Sequence, residues 1–383
     1  MDVRPSSTQQ LLVASARDFL RRYCPLDQVL VRALDAQGFD DKLWRAMAEL
    51  GWPGLLVPPA LGGSGGSLLD VILLVEEMGY AGLPSPYVTS AVAVTTALLA
   101  WQSAPPSRRL LPALASGERI ATLALVEEDG VFDPQTISLA CDGAGRLRGR
   151  KLFVKDAHVA DEVVVVVREG TGLGLLVLPT ARAGIGRQPL DTISGDKLFA
   201  VTFDAVEVRA EDRLGPSSGE GLAAALQAGA LARTAEMVGA AQRILELTVE
   251  HAKTRVQGGR PIGAYQAIQH ACADLVCDVD ASRALLHAAA WTASEGRAAG
   301  ADVAMAKAYA GEACLAAARR GHQIFGAISY CEEHPLHVFH KRIQAASLDF
   351  GDAALHLETV AQAIGLEDHP RQSGRVMEEE RHV

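Results

Sequence analysis

The sequence has few aromatic residues and no excess of positive charge. Phe, Trp and Tyr make up 5% of its 383 residues, whereas 49% of the residues are hydrophobic. A chain that is rich in Ala, Leu and Val but poor in aromatic residues favours packed helices over an aromatic-rich sandwich. The formal net charge is -10, and no basic stripe compensates for it. Because phosphate binding requires clustered positive charge, we do not expect a nucleic acid as a partner.

Disulfide and membrane signals are also missing. None of the six cysteines belongs to a Cys-x-x-Cys pair, so free thiols in a reducing cytosol are expected at Cys24, Cys141, Cys272, Cys277, Cys314 and Cys331. The N-terminal segment carries Asp2 and an interrupted apolar stretch, which is not typical of a signal peptide. No uninterrupted apolar segment is long enough to span a membrane. The sequence therefore predicts a soluble, cytoplasmic protein of two to three domains.

Several common catalytic motifs do not occur. There is no Gly-x-Ser-x-Gly and no Walker A sequence, so neither a serine nucleophile nor nucleotide hydrolysis is supported. The glycines from Gly170 to Gly174 look like part of a dinucleotide loop, but they lead into a strand and therefore predict a hairpin turn. His334, His337 and His340 recur every third residue, with no directly adjacent Cys and no convincing carboxylate cluster. We predict no metal site there.

The hydrophobic period changes along the chain. It divides the sequence into a helical segment 1–117, a β segment 118–215, a helical segment 219–365 and a polar tail 366–383. Leu43 and Met47 illustrate the helical spacing of the first segment. In the β segment, the run from Phe199 to Asp204 alternates, so one of its faces should be buried. The composition of the tail is typical of a disordered segment.

The most specific signal is RVQGGRPIGAYQ, from Arg255 to Gln266, together with the distant QIFG from Gln323 to Gly326. An arginine offers a planar fork of donors and glutamines offer amides, which suits a pyrophosphate and an adenine. Arg255 by itself could also be a helix C-terminal cation that complements the helix dipole ahead of a Gly-Gly turn. The match at Gln323 favours the nucleotide interpretation.

In this order, and with ELGWPGLLVPPALGGSGGS and GRKLFVKDAHVADEVVVVV upstream, these motifs resemble the acyl-CoA dehydrogenase family over residues 1–365. The resemblance implies an α+β multidomain fold with an N-terminal all-α domain, a central β-barrel or sandwich domain and a C-terminal four-helix bundle. It implies FAD as cofactor, an acyl-CoA thioester as substrate, and an electron-transfer flavoprotein or similar acceptor. A homo- or hetero-oligomer, dimer or tetramer, is also implied. The family's cofactor-binding residues would be Arg255, Gln257, Gln266, Gln323 and Gly326.

The same resemblance leaves the catalytic base without an obvious residue. The family removes a proton from the substrate's α carbon with a glutamate, while a hydride passes from the β carbon to the flavin. The two places where the family puts that glutamate fall on Phe350 and Gly229, neither of which can accept a proton. Weaker candidates for a relocated base are Glu236, which could equally be a solvated helix residue, and Asp349 and Asp352, which could equally be helix caps.

The residues for the flavin ring also depart from the family. The family's Thr-Glu-Pro stretch is reduced to Val126–Gly130, and its Trp-x-Thr strand becomes Phe153–Lys155. Three interpretations remain open. The favoured one is a flavoprotein subunit of a heteromeric dehydrogenase, as in family members that degrade steroid or other bulky acyl chains, whose partner supplies the base. The others are a homomeric dehydrogenase with a relocated base, and a flavin-dependent monooxygenase on the same fold.

Overall fold

The computed structural model describes residues 4–33, 35, 37–215 and 219–366. The tail predicted from residue 366 lies outside this part of the chain except for Leu366. Within it, no helix is both long and apolar enough to cross a membrane.

The N-terminal region is helical, as predicted. Its helices are α1 (Ser7–Tyr23), α2 (Leu26–Ala33), α3 (Asp41–Glu49), α4 (Leu68–Tyr80), α5 (Thr95–Leu99) and α6 (Pro105–Ala115), and a π-helical segment (Val88–Val94) precedes α5. Helix α4 begins with a capping box in which Ser67 and Asp70 bond each other's backbone N–H groups. It is apolar on most sides and is almost wholly buried. It packs along the first helix of the C-terminal region and so joins the two helical regions.

The middle region contains two three-stranded sheets. Its strands are β1 (Ala121–Ala124), β2 (Arg146–Lys155), β3 (Glu162–Glu169), β4 (Gly172–Pro179), β5 (Ile185–Leu190) and β6 (Leu198–Glu207). Their orders are β1-β3-β4 and β2-β6-β5. Val163 and Leu176 of one sheet share a hydrophobic core with Val154 and Phe203 of the other. No described strand of one sheet pairs with a strand of the other, so the region is a sandwich and not a closed barrel.

Two details of this region follow from the sequence. Phe199, Val201 and Phe203 are buried, and Thr202 and Asp204 are exposed, as the alternation predicts, whereas Ala200 on the second face is also buried. The glycine-rich run at Gly170 forms the hairpin turn between β3 and β4, as predicted.

The C-terminal region is a helical bundle. It consists of α7 (Gly219–Thr254), α8 (Gln266–Ser294), α9 (Gly300–Phe325), α10 (Leu336–Leu348) and α11 (Ala353–Ala363), and a small hairpin of β7 (Val256–Gln257) and β8 (Arg260–Pro261) connects α7 to α8. Helix α9 packs against α7, α8, α10 and α11 and therefore lies at the centre of the bundle. The loop from α10 to α11 contains Phe350.

Candidate functional site

The C-terminal ends of α7 and α9 meet at one end of the bundle. His251, in the last turn of α7, stacks on Phe325, the last residue of α9, with ring centroids 4.2 Å apart. Arg255 lies one helical turn beyond His251, and Gln323 lies two residues before Phe325. The two nucleotide motifs, which are distant in sequence, therefore lie at the same end of the bundle.

The hairpin after α7 fixes the backbone of the first motif. Gly258 and Gly259 form its turn with φ angles of 61° and 82°, a left-handed conformation that glycine adopts without strain. The hydroxyl of Tyr265 donates to the carbonyl of Gln257 at 3.0 Å, and the guanidinium of Arg260 lies 4.2 Å from the Tyr265 ring centroid. These contacts hold Gln257 next to the start of α8 without using its side chain.

Gly326 ends α9 in a conformation that essentially only glycine adopts. Its φ and ψ are 72° and -152°, and its N–H donates to the carbonyl of His322. A Cβ built on Gly326 would meet no atom within 4 Å. The need for glycine therefore comes from the backbone angles, and the backbone remains open to a ligand.

The four polar side chains of these motifs are free to bind. All are exposed, and within the described part of the chain none makes a hydrogen bond or ion pair with its side chain: Arg255, Gln257, Gln266 and Gln323. Burial and the nearby charge of Arg255 lower the pKa of His251. A guanidinium group without an ion-pair partner, beside amide donors, fits the pyrophosphate and adenine of FAD. The surface is open on its outer side.

The two positions expected for a base coincide in space. A Cβ built on Gly229 of α7 would lie 2.3 Å from Cε1 and 2.5 Å from Cδ1 of Phe350. The Phe350 side chain is 5% exposed, and its ring contacts that of Phe132 edge-on with centroids 5.6 Å apart. One phenyl ring therefore fills the space that a side chain at either position would occupy.

Each of the three weaker candidates already has a structural partner. The buried carboxylate of Glu236 accepts hydrogen bonds from Arg233 at 2.5 Å and from Arg342 at 2.6 Å. Burial alone would raise its pKa, but these two guanidinium groups lower the pKa of Glu236 to about 2. That value is far below the range that suits a general base. Asp349 accepts a hydrogen bond from Arg233 at 2.7 Å, and Asp352 caps the N-terminus of α11.

The loop that carries Phe350 is held from both sides. Phe350 has a φ of 58°, which is unfavourable for a residue with a side chain. The buried ammonium of Lys307 donates to the carbonyls of Ser347 and Gly351, both at 2.8 Å, and His356 Nε2 lies 3.0 Å from the Phe350 carbonyl. Burial lowers the pKa of Lys307 to about 8. These contacts fix the conformation of the loop and keep the Phe350 ring in place.

Comparison with known proteins identifies the fold. The family model for the acyl-CoA dehydrogenase N-terminal domain matches residues 6–118, and that for the C-terminal domain matches residues 219–365. Acyl-CoA dehydrogenase IpdE2 of Mycobacterium tuberculosis is 31% identical over 90% of this chain and 93% of its own. The chain belongs to the acyl-CoA dehydrogenase family. It is accordingly an oxidoreductase of the FAD-dependent class that acts on acyl-CoA.

Solved structures of acyl-CoA dehydrogenases have the same architecture. A chain of the ChsE4–ChsE5 complex from Mycobacterium tuberculosis is 27% identical, with a TM-score of 0.87 over 95% of this chain and 99% of that one. A structure of the Tcur3481–Tcur3483 steroid ACAD is 29% identical, with a TM-score of 0.84 over 93% and 97% of the two chains. The expected fold of two helical regions around a β region is therefore confirmed.

The place for the flavin ring does not fit a flavin. In the acyl-CoA dehydrogenase family the middle domain holds this ring. Here Val126, Phe132, Phe153, Lys155 and Phe350 help to line a cavity of about 30 Å³. Such a volume holds one or two water molecules. The two charged residues that line this cavity are already ion-paired, Lys155 with Asp196 and Asp349 with Arg233, and most of the other lining residues are apolar. This cavity has no room for a flavin ring.

The sequence analysis did not identify the residues that hold the Phe350 ring over Gly229. Lys307 holds the Phe350 loop, Phe132 contacts the Phe350 ring, and Arg233 and Arg342 both pair with the buried carboxylate of Glu236. Lys307 did carry a signal, because it is a lone charge in the apolar helical run VAMAKAYAG. A buried lysine usually donates to carbonyls or carboxylates, as Lys307 does here.

Proposed function

We propose that this chain is the base-free subunit of a heteromeric acyl-CoA dehydrogenase that desaturates an acyl-CoA thioester between its α and β carbons. The partner chain provides the flavin-ring site and the glutamate. The present chain provides the residues that hold the adenosine pyrophosphate of the same FAD: Arg255, Gln257, Gln266, Gln323 and Gly326. The observation that carries this proposal is the Phe350 ring packed over Gly229.

The reaction explains why that observation decides the role. When bound, FAD supplies the hydride acceptor for the β carbon. The α proton requires a basic side chain with access to substrate. Phe350 and Gly229 offer no base, and Glu236 is held as a carboxylate of low pKa by two arginines. In this proposal the proton acceptor comes from another chain.

The relatives support this assembly and its substrate class. The similar structures named above are a ChsE4–ChsE5 complex and a Tcur3481–Tcur3483 steroid ACAD, and each of these names joins two designations. We assign to this chain a bulky, steroid-like thioester as the substrate of its complex. The electron acceptor is an electron-transfer flavoprotein or a similar protein, and the site of action is the cytoplasm.

The test is the flavin content of the purified protein. The chain is purified alone, and also together with an acyl-CoA dehydrogenase-like product of the neighbouring gene, and the flavin absorbance is measured per polypeptide. We expect one flavin per pair of chains in the complex and little flavin in the chain alone. Full occupancy of the isolated chain would overturn the proposal in favour of a relocated base or a monooxygenase, which desaturated and oxygenated products would distinguish.

A further inference from the structure

Five histidines gather where α7, α9 and α10 meet, and the proposed function uses none of them. The Phe325 ring contacts the rings of His251 and His334, with centroids 4.2 and 4.7 Å away. The ring centroids of His322 and His340 lie 5.0 Å apart. Together these rings border the connection from α9 to α10. The histidine cluster, as defined here, contains His251 of α7, His322 of α9, His334 before α10, and His337 and His340 of α10.

The contacts of His322 require its neutral form. The hydroxyl of Ser329 donates to the carbonyl of Gly326 at 2.8 Å, so its oxygen accepts the proton on Nδ1 of His322, also at 2.8 Å. Nε2 is then the unprotonated nitrogen of this ring. It is buried and, within the described residues, has no hydrogen-bond partner. A second proton on Nε2 would therefore be a buried donor without an acceptor, which is costly.

Two neighbouring imidazoles are arranged in the same way. Nε2 of His337 donates to the carbonyl of Glu332 at 3.1 Å, while its Nδ1 is buried and has no partner in the described part of the chain. Nδ1 of His334 accepts the N–H of Leu336, the first residue of α10, at 3.3 Å. Protonation of that nitrogen would place one N–H group against another. All three rings therefore fit their surroundings only when they are neutral.

The surrounding charges also oppose protonation. Among the described residues, no carboxylate pairs with a ring of the cluster. Asp274 and Asp278 of α8 pair with Arg320. The ring of Tyr330 is stacked on that of His322, with centroids 4.5 Å apart. A protonated ring would thus find no anionic partner in its present position. The carboxylates on the adjoining stretches of chain are exposed, at Glu250, Glu332 and Glu333, and the cations beside the cluster on α7, α9 and α10 include Arg255, Arg319 and Lys341.

These surroundings set the direction in which the cluster responds to pH. Burial and the other imidazoles lower the pKa of His322 to about 4. Burial also lowers the pKa of His334 and of His340, together with neighbouring imidazoles for the first and Arg319 for the second. An imidazole in water has a pKa of about 6.5. The packed arrangement is therefore fully favoured above about pH 6.5 and loses this advantage as the pH falls towards about 4.

We propose that the histidine cluster is a pH-sensitive switch: neutral imidazoles hold residues 326–335 against the bundle, and acid releases this segment. Gly326 begins the segment, and Gln323 directly follows His322. Release would therefore displace two of the five residues to which the adenosine pyrophosphate of FAD is assigned. That consequence rests on the function proposed above, whereas the release itself does not.

The test follows hydrogen–deuterium exchange of the full-length chain by mass spectrometry at pH 7 and pH 5, corrected for the intrinsic pH dependence of amide exchange. His322→Asn keeps a donor and has no site for a second proton, and His334→Asn keeps an acceptor. His270→Asn is the matched control, because His270 is exposed on α8 outside the cluster. We expect opening of residues 326–335 to rise on the order of tenfold at pH 5 in the parent and the control, and at most about threefold in either cluster variant.

Flavin retention is measured at the same two pH values in the complex with the product of the neighbouring gene. Because Gln323 and Gly326 move with the segment, we expect the parent complex to lose flavin faster at pH 5 than at pH 7. The complexes of the two cluster variants should show a smaller difference between these pH values.

The outcomes separate the switch from the proposed function. An equal rise in opening in the parent and both cluster variants would overturn the switch, and so would a loss of protection throughout the chain at pH 5. Flavin retained equally at both pH values by a complex whose segment opens would refute the link to the nucleotide surface. Local opening together with full flavin occupancy of the isolated chain would refute the proposed function and leave the switch intact. Circular dichroism at both pH values shows which variants are folded, and if one cluster variant is not, the other carries the test.

Discussion

The contact between Gly229 and Phe350 predicts a strong coupling between substitutions at these two positions. Adding a methyl group at Gly229 places it 2.3 to 2.6 Å from three ring carbons of Phe350. The ring cannot easily move aside, because the loop is bonded to Lys307 and the ring lies against Phe132. Gly229→Ala should therefore overpack the site as long as Phe350 is present.

The magnitudes follow from two opposing effects. Replacing glycine by alanine inside a helix normally stabilises a protein by about 1 kcal/mol. Overpacking a well-packed core costs roughly 1 to 3 kcal/mol. Gly229→Ala alone should thus lower the free energy of unfolding by about 0 to 2 kcal/mol, as the difference of these terms. Phe350→Ala alone should cost about 3 to 5 kcal/mol. In the Phe350→Ala background the clash is absent, so adding Gly229→Ala should stabilise by about 1 kcal/mol.

A double-mutant cycle measures the difference. Urea unfolding of the parent, both single variants and the double variant, followed by circular dichroism, should give a coupling free energy of about 1 to 3 kcal/mol. Gly311→Ala on α9 is the control, because a Cβ there lies at an ordinary 3.8 Å from the Cβ of Ser347. Additive effects of Gly229→Ala and Phe350→Ala would refute the claim that the ring occupies the space over Gly229.

Three further outcomes are expected. Arg255→Ala should weaken flavin retention in the complex about tenfold to a hundredfold during dialysis, since a charge-assisted contact contributes about 1.5 to 3 kcal/mol, whereas Lys253→Ala should retain flavin as the parent does. Glu236→Gln should lower the free energy of unfolding at neutral pH by about 3 to 5 kcal/mol, because the guanidinium groups of Arg233 and Arg342 both lose an anionic partner. The carboxylate of Glu236, with a pKa of about 2 against an ordinary 4.5, stabilises the fold above pH 4.5 and loses this effect as the pH falls towards 2. Urea unfolding across that pH range should show that the free energy of unfolding falls less steeply with acid in Glu236→Gln than in the parent. Phe350→Glu and Gly229→Glu should each fail to give the isolated chain desaturase activity with an artificial electron acceptor on short, medium and steroid-like thioesters. Clear turnover by either would contradict the half-site account.

The sequence predicts the fold well because its signals are local. The alternation from Phe199 to Asp204 is enough to orient β6 in the sandwich, since successive side chains of a strand point to opposite faces. The all-round apolar character of α4 likewise predicts its burial. For the proposed nucleotide surface, the motifs name Arg255 and Gln323 as candidates, and the stack of His251 on Phe325 brings their helix ends together.

The packing of the Phe350 ring over Gly229 could not be predicted in the same way, because it depends on contacts between distant segments. Glu236 on its helix gives no sign that Arg342, more than a hundred residues later, lies 2.6 Å away. The sequence alone indicates that Gly229 and Phe350 stand at the positions expected for the base. It could not show that Gly229 and Phe350 share one volume, since that requires the packing of α7 against the α10–α11 loop.

Restoring a carboxylate is therefore different from restoring a site. A glutamate at position 229 would collide with the Phe350 ring, and one at position 350 would replace that ring beside Phe132, where an ionised group has little water around it. Neither change would enlarge the 30 Å³ cavity at Val126 enough for a flavin ring. The lack of a carboxylate at positions 229 and 350, the small cavity at Val126 and the proposed nucleotide surface are explained together if catalysis takes place in the partner chain. A homomeric enzyme with a relocated base would explain only the first of them.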